Sequence, residues 1–492
     1  MNTRRRVGFW LGLCGGIALA VLSRSGVALP MSAAAVLTLG VAWTMACWWV
    51  SESLPIAATS LLPLAVFPLA GVLSPAVAAA GYAHRFIVLL GAGFMVALTL
   101  EAHGLHRRLA LGIMKRIGTS PARVMVSFMA ATAGLSMWIS NTATTLMMLP
   151  IAMAVLGHST DSGEESEVDS ESPNGRYTIA LLLGVAFASN IGGIATPIGT
   201  PPNLIMVGVY AEVTGKTVNF AQWLAWGLPF VLLFVPITGW WLYHSAKLPA
   251  DFALADPSQL ERMQRELPVM SRAERRVLVI FSLTALAWIT RAGVDFGSWG
   301  SLAGWQAWFP KGTEVDDSTV AVISALVMFC VPVGDGTEAR LLEWRVAKHI
   351  PWGLLLLFGG GISLARGFEA SGLSAAIGHG LSGFTSLPLV WLVLLIALCV
   401  TFLTEVTSNT ATTTLLMPIL AAASVAAAID PKLLMVPAAM SASCAFMLPV
   451  ATAPNAIVFG SGRVPILAMV RRGFVLNLIG AVLVTAVIMA VR

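Results

Sequence analysis

Uncharged apolar stretches long enough to cross a lipid bilayer recur along this chain. Examples are residues 31–50, 226–243 and 474–491. Each matches the roughly 17 to 25 residues that a membrane-spanning helix requires. Of the 492 residues, 57% are hydrophobic and 11% are charged, whereas a soluble domain carries about 25% charged residues. The sequence therefore predicts an all-α polytopic membrane protein.

Basic residues between the apolar stretches predict the orientation of the chain. They cluster in residues 4–6, 107–123, 272–276, 340–348 and 471–472. Loops on the cytoplasmic side carry an excess of Lys and Arg, so we expect these clusters to be cytoplasmic. The segment 292–317, with Lys311 as its single basic residue, is then external. The net charge of +5 therefore reflects topology and does not indicate nucleic-acid binding.

The amino terminus resembles a signal peptide, because three arginines precede an apolar run. However, Leu13 occupies the position where a lipoprotein cleavage site before Cys14 has a small residue, and no clear cleavage site follows. We therefore expect an uncleaved first helix, a cytoplasmic N-terminus and a location in the cell inner membrane.

Two apolar stretches, near 123–156 and 388–424, are interrupted by Ser, Asn, Thr and Pro. Two others, 177–212 and 431–460, are assigned as single apolar segments. Irregular backbone at membrane depth is tolerated only where it lines a cavity or is buried in protein. The two interrupted stretches are therefore candidates for a binding site.

A hexapeptide within these stretches occurs twice, letter for letter. Residues 140–145 read SNTATT, and residues 408–413 repeat them at an offset of 268. The same offset aligns glycine, glutamate and proline positions of the segment 93–150 with the second half. Residues 199–203 match 451–455 at an offset of 252, counted from 203 to 455. The chain therefore contains an internal repeat.

The two halves of the repeat are predicted to have opposite orientations in the membrane. Basic residues occur at 107–123 in the first half, whereas residues 370–387 of the second half contain no Lys or Arg. Inverted repeats with paired broken helices place the substrate at the repeat interface near the bilayer midplane. The acidic stretch 158–176, with six carboxylates, is predicted to be a solvated cytoplasmic insertion. The resulting division is scaffold helices 1–84, first repeat 85–212, scaffold helices and loops 213–351, and second repeat with a final helix 352–492.

The side chains of the two hexapeptides suit the binding of an anion. Hydroxyl and amide groups donate hydrogen bonds, and backbone N–H groups at broken helix ends carry partial positive charge. Carbonyl oxygens freed at the same breaks can coordinate Na⁺. The competing interpretation is that the motifs only cap or pack helices, as small polar residues do in membranes. Two identical copies in one register favour binding.

At these motifs the sequence resembles the divalent anion/sodium symporter family, which carries dicarboxylates, citrate or sulfate, and the resemblance extends over nearly the whole chain. It implies a homodimer with scaffold and transport domains, two re-entrant hairpins tipped by the hexapeptides, and an elevator-like movement. One departure is Ala453, because the family commonly has two consecutive prolines there, as this chain has at Pro201 and Pro202. This departure leaves the substrate class open.

The resemblance also suggests which residues bind the two ions. The predicted substrate-binding residues are Ser140, Asn141, Thr142, Thr200, Pro201, Ser408, Asn409, Thr410 and Thr452. The first predicted sodium site consists of Ser136, Ser140, Asn141 and Gly199, and the second of Thr404, Ser408, Asn409 and Ala451. For Glu405, a carboxylate beside the second motif, a role in transport and a role in stabilising the hairpin both stay open.

We expect a secondary active transporter of small divalent anions, with sodium-coupled symport of C4-dicarboxylates as the first hypothesis. The alternatives are a sodium-independent dicarboxylate exchanger and a sulfate or citrate transporter on the same fold. An enzyme is disfavoured, because the interrupted stretches contain no metal-binding His/Glu spacing, nucleophile elbow or phosphate loop. No cofactor is expected besides Na⁺ as the coupling ion. The expected partners are the anion, sodium, the lipid bilayer and a second copy of the chain.

Overall fold

The computed structural model describes residues 3–25, 31–115, 120–157, 172–252, 262–263, 265–295, 301–310, 313–381 and 387–491. Within these ranges the chain is mainly helical, and one small antiparallel pair of strands joins Val294–Asp295 to Ser301–Leu302. Most of the acidic stretch, residues 158–171, and Lys311 lie outside the described residues, so their locations stay predictions.

Helices of very different lengths make up the fold. The α-helices are Thr3–Leu22, Ala33–Ser51, Ile56–Thr59, Leu62–Leu69, Pro75–Ala80, Arg85–Ala102, Leu105–Lys115, Pro121–Ser136, Asn141–Val155, Pro173–Gly192, Pro201–Thr214, Phe220–Ser245, Arg272–Thr290, Asp317–Cys330, Trp344–Ala347, Trp352–Ala370, Leu373–Leu381, Leu389–Thr404, Asn409–Ala426, Lys432–Ala442, Ala453–Gly460 and Ile466–Ala490. Short 3₁₀ helices occupy Gly193–Ala195 and Trp305–Trp308.

Eight helical stretches in the described ranges are long and apolar enough to cross a membrane. They are Thr3–Leu22, Ala33–Ser51, Pro75–Ala102, Pro173–Ala195, Phe220–Ser245, Trp352–Ala370, Asn409–Ala426 and Ile466–Ala490. The best apolar window of Pro173–Ala195 is completely buried within the protein, whereas 11% of that of Thr3–Leu22 is buried. The former is therefore central and the latter peripheral. The prediction of an all-α polytopic membrane protein is confirmed.

Both interrupted stretches form helical hairpins. The first hairpin consists of Pro121–Ser136 and Asn141–Val155, and the second of Leu389–Thr404 and Asn409–Ala426. In each hairpin the second helix begins at the Asn of the hexapeptide. In the first hairpin the preceding serine favours this start, because Ser140 accepts a hydrogen bond from the backbone N–H of Ala143 at 3.2 Å. Ser408 precedes the second helix but makes no side-chain capping bond to the described residues. The predicted interruptions are thus present in both stretches.

The two segments assigned as unbroken are interrupted as well, so that assignment was wrong. The first break, residues 193–200, separates Pro173–Gly192 from Pro201–Thr214. The second break, residues 443–452, separates Lys432–Ala442 from Ala453–Gly460. Proline lies in the first turn of both following helices, where it lacks a donor and disfavours helical backbone before it. Apolar composition alone does not reveal this effect.

The buried helix Pro173–Gly192 brings the two halves of the chain together. It packs against both helices of the first hairpin and against Phe220–Ser245. It also packs against Ala453–Gly460, the helix that follows the second break. Polar residues near its C-terminal end therefore lie beside polar residues of the other repeat.

Candidate functional site

A cavity of about 920 Å³ lies where the hairpin tips and the breaks meet. All nine predicted substrate-binding residues line it, together with Gly199 and Ala451. Ser136 and Thr404 lie behind this wall and are fully buried. The fold therefore assembles in one place residues that the sequence analysis grouped from two distant repeats.

The tip of the first hairpin and the first break form a compact cluster of oxygen atoms. The hydroxyl oxygen of Ser136 lies 2.6 Å from Asn141 Oδ1 and 2.7 Å from the carbonyl oxygen of Ser189. The backbone at Gly193 and Gly199 approaches so closely that a Cβ on Gly199 would lie 2.5 Å from the Gly193 carbonyl oxygen. Glycine is therefore required at this approach. Hydroxyl, amide and carbonyl oxygens are the ligands that hard cations prefer.

The second hairpin and the second break repeat this arrangement. The hydroxyl oxygen of Thr404 lies 2.5 Å from Asn409 Oδ1 and 3.2 Å from the carbonyl oxygen of Ala442. Ala451 occupies the position that Gly199 holds in the first half, and it is also buried. Two similar oxygen clusters thus flank the cavity. The first contains Ser136 and Asn141 and the second Thr404 and Asn409, each pair from one predicted sodium site, and Ser140 and Ser408 line the cavity.

A buried asparagine braces each break. The amide nitrogens of Asn203 and Asn455 donate to backbone carbonyl groups at the interruptions of the helices, where the regular helical hydrogen bonds end. The acceptors are Gly193 at 3.1 Å and Thr196 at 2.7 Å for Asn203, and Ala445 at 3.0 Å and Leu448 at 3.1 Å for Asn455. These positions correspond through the offset of 252. Both breaks are therefore ordered by specific hydrogen bonds and are not frayed helix ends.

Glu405 is tied into the second break by four hydrogen bonds. Its donors are the backbone N–H groups of Phe446, Met447 and Leu448 and the side-chain amide of Asn477, at 2.7 to 3.0 Å. All of these groups donate, which suits the ionised carboxylate because it accepts only. Of the two roles left open for Glu405, these contacts support the stabilisation of the hairpin against the break.

The charged side chains of the cavity wall lie at its mouth. They are Arg4, Arg5, Glu52 and Glu101, and His349 lies with them. Arg4 donates to the carbonyl oxygen of Val50 at 2.7 Å and, at 3.3 Å, to that of Val406 near the tip of the second hairpin. The N-terminal helix is thereby linked directly to the second hairpin. In the sequence these arginines indicated the orientation of the chain and a resemblance to a signal peptide, but not this contact.

Asn190 is a cavity-lining residue that the sequence analysis missed. It lies in the apolar helix Pro173–Gly192, is 2% exposed and contacts the second repeat. Its position corresponds to Ala442 through the offset of 252, so a search for paired polar residues passes over it. The signal available in the sequence was a lone amide side chain in an apolar helix, because a buried polar group needs a hydrogen-bond partner.

The chain is similar in sequence to known membrane transporters. The family described as the transmembrane region of sodium:sulfate symporters matches residues 18–491. The sodium-dependent dicarboxylate transporter SdcS of Staphylococcus saprophyticus is 40% identical over 462 residues, which cover 92% of this chain and 85% of that protein. The SdcS protein of Staphylococcus aureus strain NCTC 8325 is 39% identical over the same shares.

Solved structures show the same fold at low sequence identity. The Alcanivorax borkumensis YdaH transporter is 14% identical with a TM-score of 0.58, covering 98% of both chains. MtrF of Neisseria gonorrhoeae is 13% identical with a TM-score of 0.58, covering 98% of this chain and 96% of that one. These two likenesses concern the fold alone.

Proposed function

The chain belongs to the family of sodium:sulfate symporters, and from this premise we propose that it is a secondary active transporter that carries a dicarboxylate together with sodium. Two relatives that are 39% and 40% identical are named sodium-dependent dicarboxylate transporters. We assign this chain the same substrate class and the same coupling ion. It acts as a transporter in the cell inner membrane.

The observation that carries the proposal is the meeting of four helix N-termini at one cavity. Helices begin at Asn141, Pro201, Asn409 and Ala453, and all four residues line the cavity. Each N-terminus carries the partial positive charge of its helix dipole, which stabilises anions. At the hairpin tips backbone N–H groups add hydrogen-bond donors, whereas the break ends begin with prolines, which have no N–H, and contribute chiefly the dipole. Two hairpin tips and two break ends suit an anion with two negatively charged groups, one at each pair.

Sodium binds, in this proposal, at the two oxygen clusters. The first site uses Ser136, Ser140, Asn141 and Gly199, and the second uses Thr404, Ser408, Asn409 and Ala451. An asparagine belongs to both the sodium site and the anion site at each hairpin tip, because its oxygen can face a cation while its amide faces an anion. Sodium binding therefore orders the donors that hold the substrate.

The remaining elements of the proposal concern assembly and movement. We assign inverted repeats, a cytoplasmic N-terminus, a homodimer and an elevator-like displacement of the hairpins and broken helices against the scaffold. With the N-terminus in the cytoplasm, the mouth at Arg4 and His349 opens inward. This state would release substrate into the cell.

Uptake into proteoliposomes tests the proposal. Purified protein is reconstituted, and uptake of labelled succinate, citrate and sulfate is measured with and without an inward sodium gradient. Succinate uptake that requires sodium supports symport. Uptake that needs internal succinate but no sodium indicates an exchanger. Faster uptake of sulfate or citrate than of succinate would change the assigned substrate class to that anion. Absence of transport for all three anions overturns the proposal.

A further inference from the structure

We propose that Asn190 is a positioning residue that turns the hydroxyl proton of Thr452 towards the bound anion. This inference rests on the proposed function, since it concerns how one end of the dicarboxylate is held. It adds a residue to the site from outside the hairpin tips and the breaks. A series of donors and acceptors that runs from Asn455 to Thr452 fixes the direction of each hydrogen bond in turn.

The series of hydrogen bonds starts at Asn455, which is fully buried. Its amide nitrogen donates to two carbonyl oxygens of the second break, those of Ala445 at 3.0 Å and Leu448 at 3.1 Å. Carbonyl oxygens only accept, so these contacts fix which side of the Asn455 amide carries the nitrogen. Its oxygen, Oδ1, consequently faces Asn190, 3.3 Å from Asn190 Nδ2.

The direction of Asn190 follows from that of Asn455. Because Asn455 Oδ1 accepts, Asn190 must present its amide nitrogen there, and the second N–H of this nitrogen points to Thr452 Oγ1 at 3.0 Å. The backbone N–H of Asn455 also donates to Thr452 Oγ1, at 3.3 Å. Both acceptor positions of the hydroxyl are then occupied. Its own proton is left to donate, and within the described residues it has no protein acceptor.

Thr452 lies in the wall of the cavity, at the N-terminus of Ala453–Gly460. A hydroxyl whose two acceptor positions are filled from behind is a preoriented donor. A carboxylate at this helix N-terminus receives its hydrogen bond without first ordering the hydroxyl, and preorganised groups bind more tightly because they lose less entropy.

The first half of the chain lacks this device, which makes the two ends of the cavity unequal. The position corresponding to Asn190 is Ala442, which has no side-chain donor. As a result Asn203 Oδ1, the counterpart of Asn455 Oδ1, is buried without a hydrogen-bond partner among the described residues. In the same part of the chain Thr200, the counterpart of Thr452, makes no side-chain capping bond. One end of the site is therefore preoriented and the other is not.

Transport kinetics of paired variants test this inference. We expect Asn190→Ala to raise the half-saturation concentration for succinate about three- to tenfold, the weight of one hydrogen bond, and to leave the sodium half-saturation unchanged. Thr452→Val removes the hydroxyl itself. Adding Asn190→Ala to Thr452→Val should change nothing further, because the residue acts through that hydroxyl. In Thr200→Val, the matched control, Asn190→Ala should retain its full effect.

Two results overturn the inference. One is wild-type half-saturation in Asn190→Ala, and the other is full multiplication of the Asn190 and Thr452 effects in the double variant. If Asn190→Ala is not monodisperse in detergent, single variants decide: Thr452→Val must weaken succinate more than Thr200→Val, and equal losses overturn the inference. Failure of the wild-type protein to take up any of the three anions instead overturns the proposed function, so the two failures are distinguishable.

Discussion

Replacing Glu405 tests how the second break is held in place. Two substitutions separate charge from hydrogen bonding. Glu405→Gln keeps the shape and one acceptor oxygen, whereas Glu405→Met introduces the residue type that the first half has at the corresponding Met137. In the first half a different contact serves, because Thr196 Oγ1 donates to the Met137 carbonyl oxygen. The second half has only leucine at the position of Thr196, Leu448, so the carboxylate is required.

The expected cost follows from the four donors around the carboxylate. In Glu405→Gln the oxygen can keep the three donors that now meet Oε1, but the backbone N–H of Leu448 then faces an amide N–H₂. One unsatisfied buried donor costs about 1 to 3 kcal/mol, and three hydrogen bonds lose about 1 kcal/mol each with the charge. Against these losses, the neutral amide avoids the desolvation penalty of a buried carboxylate, which is several kcal/mol. The net destabilisation is about 1 to 3 kcal/mol.

Glu405→Met gains the same relief but removes the acceptor from all four donors, of which the Phe446 N–H keeps a second acceptor, Asn477 Oδ1, at 3.3 Å. With about 1 to 3 kcal/mol for each of the other three donors, its loss exceeds that of Glu405→Gln. Thermal unfolding of purified variants in detergent, followed by tryptophan fluorescence, measures the order. Glu343→Gln is the control, because Glu343 forms only a partly exposed ion pair with Arg345, worth about 0 to 1 kcal/mol. Equal melting temperatures for the methionine variant and the wild type would refute the reasoning.

Three further predictions concern the cavity. Thr142→Ala and Thr410→Ala each remove a hydroxyl donor, so succinate binding measured by uptake should weaken by about 1.5 to 3 kcal/mol. Expression should stay near normal. Unchanged half-saturation in both variants would show that the hydroxyls have a structural role. Asn141→Asp and Asn409→Asp place a negative charge at the anion site, and its repulsion costs about 4 kcal/mol per unit charge of the substrate at 4 Å. Both variants should therefore lose succinate transport, while sodium still protects a nearby engineered cysteine from labelling. Normal transport would exclude the tips as the anion site. Arg4→Gln should release the second hairpin from the N-terminal helix and raise the half-saturation concentration for substrate that enters from the cytoplasmic side. Arg4→Lys should stay closer to the wild type. An equal rise for substrate entering from either side of the membrane would contradict a role at the inner mouth.

The hairpin tips could be predicted from the sequence because identical letters mark them. The first copy of the hexapeptide carries its own start signal, because Ser140 caps the helix that begins at the following asparagine. Once the two copies are paired, their meeting at one cavity follows from the repeat. The breaks were harder, because residues 177–212 and 431–460 are apolar throughout most of their length. Only the proline pattern after Thr200 and Thr452 distinguishes them from continuous helices.

The contacts that hold the site together could not be predicted in the same way. Asn190 and Thr452 are 262 positions apart, and they meet because one completely buried helix packs against the opposite repeat. Glu405 likewise depends on Asn477 in the final helix. Both are departures from the repeat, with alanine or methionine as their counterparts. Pairing of the two repeats reveals the residues that both halves share, whereas Asn190 and Glu405 lie at positions where the two halves differ.

The charge balance of the cavity gives a physical reason for coupling to sodium. The two arginines at its mouth are matched by two glutamates, so the wall formed by the described residues contributes no net positive charge apart from the histidine there. Transfer of a carboxylate from water into a protein costs several kcal/mol per charge, while one helix N-terminus returns about 0.3 to 2 kcal/mol. Four N-termini therefore leave part of the cost of a dianion unmet. Two sodium ions bound beside the hairpin tips would neutralise it. A sodium-independent exchanger built on this cavity would have to meet the whole cost with hydrogen bonds, so the sodium dependence of dianion binding separates the two mechanisms.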